Sequence, residues 1–250
     1  MAPFLFVTDL DNTLVGDAQA LEQLNDRLEK HRQQYGTKLV YATGRSITLY
    51  RQLEAEQVLL PPDALAVSVG TEIYSAGSDT PDTDWAAQLS QRWDRDRIAS
   101  TASTFTHLTP QPDSEQRQFK LSYYLSNAAA ETVLPQLAAA LQAQGLTPRL
   151  VYSSGKDLDI LPEQGHKGAA MAFLRQRFGI APERTVACGD SGNDLALFED
   201  RQELGIIVGN AKPELRQWYA ANARPTCYRA AAVCAAGILE GLQHFGLLEP

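Results

Sequence analysis

Only three of the 250 residues are cysteine, and Cys188, Cys227 and Cys234 show no metal-ligand spacing and cannot all pair. That scarcity argues against a disulfide framework and a cysteine zinc site, so all three read as free thiols, Cys188 within a buried strand Thr185-Val186-Ala187-Cys188. Long apolar runs are missing too: none approaches the about 18 residues of a membrane-spanning helix. The N-terminus has no basic segment followed by an apolar stretch, so no secretory signal is expected. Basic residues are in short supply, 22 Lys and Arg against 30 Asp and Glu, for a net charge of −8. An acidic surface disfavours nucleic acid and anionic membranes as partners, but not a small phosphorylated substrate, which answers to local charge. Repeats and low-complexity tracts are also lacking. The expectation is a soluble cytoplasmic protein.

The rest is ordinary for a globular chain, with 44% apolar and 21% charged residues and a length that suits one large domain or two small ones. Phe4-Leu5-Phe6-Val7 reads as a buried strand, followed by a helix over 18–34 closed by Gly36. Strands at 39–42 and 64–69 flank a second helix, the alternation of a parallel sheet with right-handed crossovers. Residues 75–84 read as a linker. Beyond it lie a helix with Trp85, Leu89 and Trp93 on one face, a break at Pro110-Gln111-Pro112-Asp113, strands at 120–125, 147–153 and 157–161, and a helix over 131–144. This block reads as antiparallel α+β, inserted into the first domain, with the three apolar residues packing inside it. From His166 the parallel pattern resumes, with helices at 167–178, 195–198, 214–221 and 232–245 and strands at 185–188 and 205–208. The predicted units are 1–80 with 162–250, and 81–161.

Four polar stretches stand at strand ends or helix starts, where ligands bind in such sheets. In Val7-Thr8-Asp9-Leu10-Asp11-Asn12-Thr13, extended backbone would point Asp9 and Asp11 the same way. Two crowded carboxylates are tolerable if a cation sits between them or one holds a proton, which suits phosphoryl chemistry; a polar turn is the plain alternative. Thr43-Gly44-Arg45 opens a helix, offering N–H groups, a hydroxyl and close backbone approach to a phosphate. Lys167 also opens a helix, where a cation is unfavourable unless an anion lies near. In Gly189-Asp190-Ser191-Gly192-Asn193-Asp194, Asp190 can share a magnesium ion with Asp9, oriented by Asn193 or Asp194; an EF-hand calcium loop would require a Glu that is missing.

In that order, Asp-Leu-Asp-Asn-Thr, Thr-Gly-Arg, the helix-opening lysine and Gly-Asp-Ser-Gly-Asn-Asp resemble the four motifs of the haloacid dehalogenase superfamily. Val15-Gly16-Asp17, Gly70-Thr71-Glu72-Ile73-Tyr74, Lys120-Leu121-Ser122-Tyr123 and Ser153 to Asp159 narrow the resemblance to the sucrose-phosphate phosphatase family, in its short cyanobacterial form without the additional C-terminal region of the plant enzymes. The resemblance implies a Rossmann-like α/β core with a smaller inserted α+β cap. It implies magnesium-dependent hydrolysis of sucrose 6-phosphate, with Asp9 as nucleophile and Asp11 as general acid and base. The ion would be held by Asp9, the Asp11 carbonyl and Asp190. Thr43, the Gly44 amide and Lys167 would hold phosphoryl oxygens, while Asn193 and Asp194 orient. Arg45, Glu72, Lys120, Tyr123, Ser153, Gly155, Lys156 and Asp157 are its candidate substrate contacts. A monomer, with sucrose-phosphate synthase as possible partner, is expected. Other phosphatases acting on mannosyl-phosphoglycerate, trehalose 6-phosphate or hexose phosphates share the core motifs, and a non-catalytic sugar-phosphate-binding module is the reading from another class.

Overall fold

The structure, a computed structural model, describes residues 2–199 and 202–249. Its plan follows from alternation in the first strand. Phe4 and Phe6 join one apolar cluster, and Leu5 and Val7 join another. A strand apolar on both faces needs a layer on each side, which is the geometry of a parallel sheet between helices.

In chain order the elements are β1 (Leu5–Thr8), α1 (Ala18–Tyr35), β2 (Lys38–Ala42), α2 (Ile47–Glu56), β3 (Ala64–Val67), β4 (Glu72–Ser75), α3 (Thr83–Leu89) and α4 (Arg95–Ala102). Next come β5 (Thr109–Pro110), β6 (Leu121–Tyr124), α5 (Asn127–Gln142), β7 (Arg149–Ser153) and β8 (Asp157–Leu161). The last are α6 (Lys167–Phe178), β9 (Thr185–Gly189), α7 (Leu195–Phe198), β10 (Leu204–Ile207), α8 (Pro213–Asn222), β11 (Cys227–Arg229) and α9 (Cys234–His244). Among the described residues, seven strands form one sheet in the order β11-β10-β9-β1-β2-β3-β4, parallel except for the antiparallel edge strand β4. The other four form an antiparallel sheet, β5-β6-β8-β7.

Helix α1 shows why the local signals work. The Asp17 side chain accepts the Ala20 N–H at its start, and Gly36, at φ 79°, ends it in the left-handed conformation. Its buried Leu21, Leu24 and Leu28 face the same side of the sheet as Ile238 and Leu242 of α9. On the opposite face, Ala170, Met171 and Leu174 of α6 pack on Val40, Ala42 and Ala187. Each large apolar side chain so buried is worth roughly 1.5–3 kcal/mol. The smaller sheet has its own cluster, in which Leu121, Leu158 and Ile160 meet Ile98 of α4 and Val133, Leu137 and Leu141 of α5.

Three expectations change. The third strand stops at Val67, and Ser68, Val69 and Gly70 then take φ of 53°, 64° and 91°, turning the chain into a hairpin with β4. The face with Trp85, Leu89 and Trp93 is split: α3 ends at Leu89, and Trp93 lies before α4. Nor do Trp85 and Leu89 pack inside the inserted block. Their ring and side chain join the cluster under the parallel sheet, where the Trp85 ring lies 5.1 Å from that of Phe173 and its indole N–H donates to the Gly70 carbonyl at 3.0 Å. An amphipathic stripe says that a face is buried, and the short linker before α3 keeps it beside β4.

Candidate active site

Side chains from the carboxyl ends of β1, β2 and β9 meet where the strand order reverses around β1. Strand β1 ends at Thr8, so Asp9 and Asp11 do not share an extended face. Each has its own cation. Asp9, 4% exposed, accepts the Lys167 ammonium at 2.7 Å through Oδ1. The half-exposed Asp11 accepts both arms of Arg45, Nε to Oδ2 and Nη2 to Oδ1, at 2.7 Å each. The repulsion expected of adjacent carboxylates is relieved by two separate protein cations.

Lys167 is fully buried at the start of α6. The anions that make this tolerable are Asp9 and Asp194, whose Oδ1 accepts the same ammonium at 2.7 Å. Burial works to lower the Lys167 pKa, but Asp194 and Asp9 outweigh it and hold the ammonium above the usual lysine range. Asp194 does a second job: its Oδ2 accepts the Asp190 and Ser191 N–H groups at 2.9 and 3.0 Å. The polar loop is thus folded around Asp194. Gly189 is required beneath it, since a Cβ there would lie 2.5 Å from Asp194 Cβ.

Asp9, Asp190 and Asp194 each place a carboxylate oxygen within 4.8 Å of the others. Asp190 Oδ1 accepts the Thr13 hydroxyl at 3.3 Å, while Asp190 Oδ2 is buried with no hydrogen-bond partner among the described residues. An all-oxygen set with an orphaned buried carboxylate oxygen fits a hard divalent cation. The electrostatics point the same way. Burial pushes the Asp9 carboxyl up to about 7 despite Lys167, and burial with Asp194 and Asp9 nearby pushes Asp190 up to about 7. Asp194 has both oxygens engaged and serves as a brace. The Asp11 carboxylate lies outside this cluster.

The cluster opens into a cleft of about 340 Å³ shared with the smaller sheet. Among the residues expected at the site, Asp9, Asp11, Gly44, Arg45, Lys120, Ser153, Asp157, Asp190 and Asn193 line it. Thr43 lies just beneath, fully buried, its hydroxyl oxygen accepting the Arg45 N–H at 3.1 Å. Asn193 lies over Gly44, where a Cβ would come within 3.3 Å of its amide nitrogen. Lys120 is 2% exposed, seated 3.3 Å from Glu115 and 3.7 Å from Asp159.

Four expected substrate contacts do not line the cleft. Tyr123 is buried in the apolar cluster of the smaller sheet. Gly155 and Lys156 are exposed at the β7–β8 turn, where Ser154 and Gly155 have φ of 55° and 67°. Glu72 is engaged by Arg117 and Tyr74 at the sheet edge. A side chain next to a motif points where its strand and turn send it.

A family model described as sucrose-6F-phosphate phosphohydrolase matches residues 2–246. The chain belongs to this family. A solved relative, the sucrose-phosphatase from Synechocystis sp. PCC6803 in complex with sucrose and phosphate, is 42% identical, with a TM-score of 0.93 and 100% of each chain covered. Sucrose-phosphatase 2 from Nicotiana tabacum is 41% identical over 98% of this chain and 60% of its own length. A mannosylfructose-phosphate phosphatase from Agrobacterium fabrum (strain C58 / ATCC 33970) is 36% identical over 97% of both chains. This chain therefore spans about three-fifths of the length of the plant relatives and nearly all of the bacterial one.

The cleft also holds residues that the sequence reading missed, among them Asn12, Gln111, Glu115, Asp159, Ser191 and Lys212. Some left a signal. Asp159 stands two residues after Asp157 on one strand, hence on the same face. Lys212 precedes the Pro that opens α8, as Lys167 opens α6, and its N–H donates to the Asp190 carbonyl at 2.7 Å. Gln111 and Glu115 lie in irregular chain, where no periodicity marks them.

Proposed function

We propose that this protein hydrolyses sucrose 6-phosphate to sucrose and phosphate, with Asp9 as nucleophile and magnesium as cofactor. One observation carries the reading: Asp9, held from beneath by Lys167, lines a single cleft together with Asp190 and the polar face of the smaller sheet. Phosphate chemistry and polyol recognition thereby share one cavity. The similarity to family members that act on disaccharide phosphates supports the choice of substrate.

In this reading Lys167 holds Asp9 Oδ1, which leaves the other carboxylate oxygen to attack phosphorus. The P–O bond to the sugar breaks as Asp11 protonates the departing oxygen. Asp11 then takes a proton from the water that cleaves the aspartyl-phosphate. Arg45 forks on both oxygens of Asp11 and so sets how that carboxyl faces the site. Asp9, Asp190 and the Asp11 carbonyl would hold magnesium, which when bound neutralises phosphoryl charge. Thr43 and the Gly44 amide would hold the remaining phosphoryl oxygens. Lys120, Ser153 and Asp157 face the sugar, joined by Gln111, Glu115 and Asp159. A site rich in donors and acceptors penalises any sugar that leaves them unpaired.

The test is phosphate release, with and without magnesium, from sucrose 6-phosphate beside mannosylfructose phosphate, trehalose 6-phosphate and glucose 6-phosphate. A strong magnesium-dependent preference for sucrose 6-phosphate is expected. Preference for mannosylfructose phosphate would favour the second reading, which the full-length match to that phosphatase supports. No release from any would move the chain to the non-catalytic binding modules. The reading extends to a cytoplasmic monomer supplied by sucrose-phosphate synthase. Sedimentation of the pure chain, alone and mixed with the synthase, tests the monomer and the association.

A further inference from the structure

Gln111, Glu115 and Lys120 reach the cleft from a stretch with little regular structure of its own. Strand β5 ends at Pro110, β6 begins at Leu121, and only one short 3-10 turn, Asp113–Glu115, lies between. A segment of this kind is placed by its side chains.

Within it Arg117 and Lys120 exchange backbone hydrogen bonds at 2.9 and 3.3 Å, so their side chains leave from opposite ends of one tight turn. Lys120 goes into the cleft. Arg117 goes out of the smaller sheet's unit to the edge of the larger one. There it forks on Glu72 of β4, Nε to Oε1 at 2.5 Å and Nη2 to Oε2 at 3.0 Å. Glu72 is itself held, since the Tyr74 hydroxyl donates to its Oε2 at 2.9 Å. Arg95 Nε donates to the Arg117 carbonyl at 3.1 Å, fixing the arginine backbone. Phe119 anchors the same turn in the cluster under the parallel sheet. A second polar contact, Ser46 Oγ to Glu115 Oε1 at 3.3 Å, crosses to the start of α2, one residue after Arg45.

We propose that the Glu72–Arg117 pair is a latch between the two units: it touches no substrate, yet it positions Glu115 and Lys120 on the sugar side of the cleft. Each unit has its own apolar core. A two-toothed Arg–carboxylate pair at their junction fixes direction as well as distance. This role rests on the sugar-phosphate reading above, and it replaces the expectation that Glu72 binds substrate.

The experiment compares wild type, Arg117→Gln, Arg117→Lys and the double variant Glu72→Gln/Arg117→Gln. The double variant leaves no lone buried charge, so it separates the latch from simple destabilisation. KM and kcat are measured on sucrose 6-phosphate and on p-nitrophenyl phosphate, which has no sugar to recognise, together with hydrogen exchange of residues 113–120. The latch predicts a KM for sucrose 6-phosphate at least tenfold higher in Arg117→Gln and in the double variant. It predicts kcat/KM on p-nitrophenyl phosphate within twofold of wild type, faster exchange at 113–120, and an intermediate Arg117→Lys. Equal losses on both substrates, or a wild-type KM in the double variant, would overturn it. If wild type itself leaves sucrose 6-phosphate intact, the functional reading fails. Exchange then decides alone: faster exchange in the variants upholds the latch, and unchanged exchange overturns it.

Discussion

Arg45 closes both arms of its guanidinium on the Asp11 carboxylate, at 2.7 Å each. The fork sets the orientation of the group proposed to carry protons. Arg45→Gln is therefore expected to lower kcat on sucrose 6-phosphate by about 100-fold, the low end of what general acid–base catalysis contributes. Arg45→Lys keeps the charge but loses the planar fork, and a loss of about 10-fold is expected. Steady-state kinetics on the two variants checks the order.

Asp190 contributes to the acidic cluster a buried oxygen that has no hydrogen-bond partner among the described residues. Asp190→Asn removes a charge that a divalent cation needs. Magnesium affinity, measured by calorimetric titration, should fall at least 100-fold. The same change removes a like charge beside Asp9 and Asp194, so the metal-free variant should melt several degrees above metal-free wild type. A variant that loses both affinity and stability would contradict the assignment.

The pH dependence follows from the two raised carboxyls. Asp9 and Asp190 sit at about 7 in the folded chain against an ordinary 3.8, so the folded state holds extra protons between those limits. Their contribution to stability is present below about pH 4 and is lost as pH rises toward 7, by at most about 1.4 kcal/mol per pH unit for each group. Magnesium competes with those protons. The rise in melting temperature at saturating magnesium should grow from pH 5 to pH 8, as scanning calorimetry would show.

Gly70 lies against the peptide that leads into Lys167. A Cβ on it would come 2.7 Å from the His166 carbonyl carbon and 2.8 Å from the Lys167 nitrogen, and its φ is 91°. Gly70→Ala should cost at least about 3 kcal/mol in urea unfolding and displace Lys167. The loss of turnover should exceed that of an equally destabilising change in the distant cluster around Leu137.

Much of this was readable before the structure because the chemistry is local. Asp9, Thr43, Lys167 and Asp190 each stand where a strand ends or a helix begins, and a parallel sheet gathers those points on one edge. Direction was less legible. Asp9 and Asp11 are two residues apart, yet the strand ends between Thr8 and Asp9 and the carboxylates take different cations. Trp85 and Leu89 announced a buried face without naming its partner, which proved to be the larger sheet. Glu115 stayed hidden because its stretch is held by long-range side-chain contacts, such as Arg117 on Glu72, that leave no period in the sequence.

The place of β1 in the sheet has a further consequence. Its neighbours are β2, which begins at Lys38, and β9, which begins at Thr185. As the chain emerges from the ribosome, β1 has one partner early and must wait for the other until the smaller unit has been made. That unit, with its own apolar cluster, has all its strands in place before β9 appears. Vectorial synthesis then favours an order in which the smaller sheet sets before β1 gains its second neighbour, with β10 and β11 added after it.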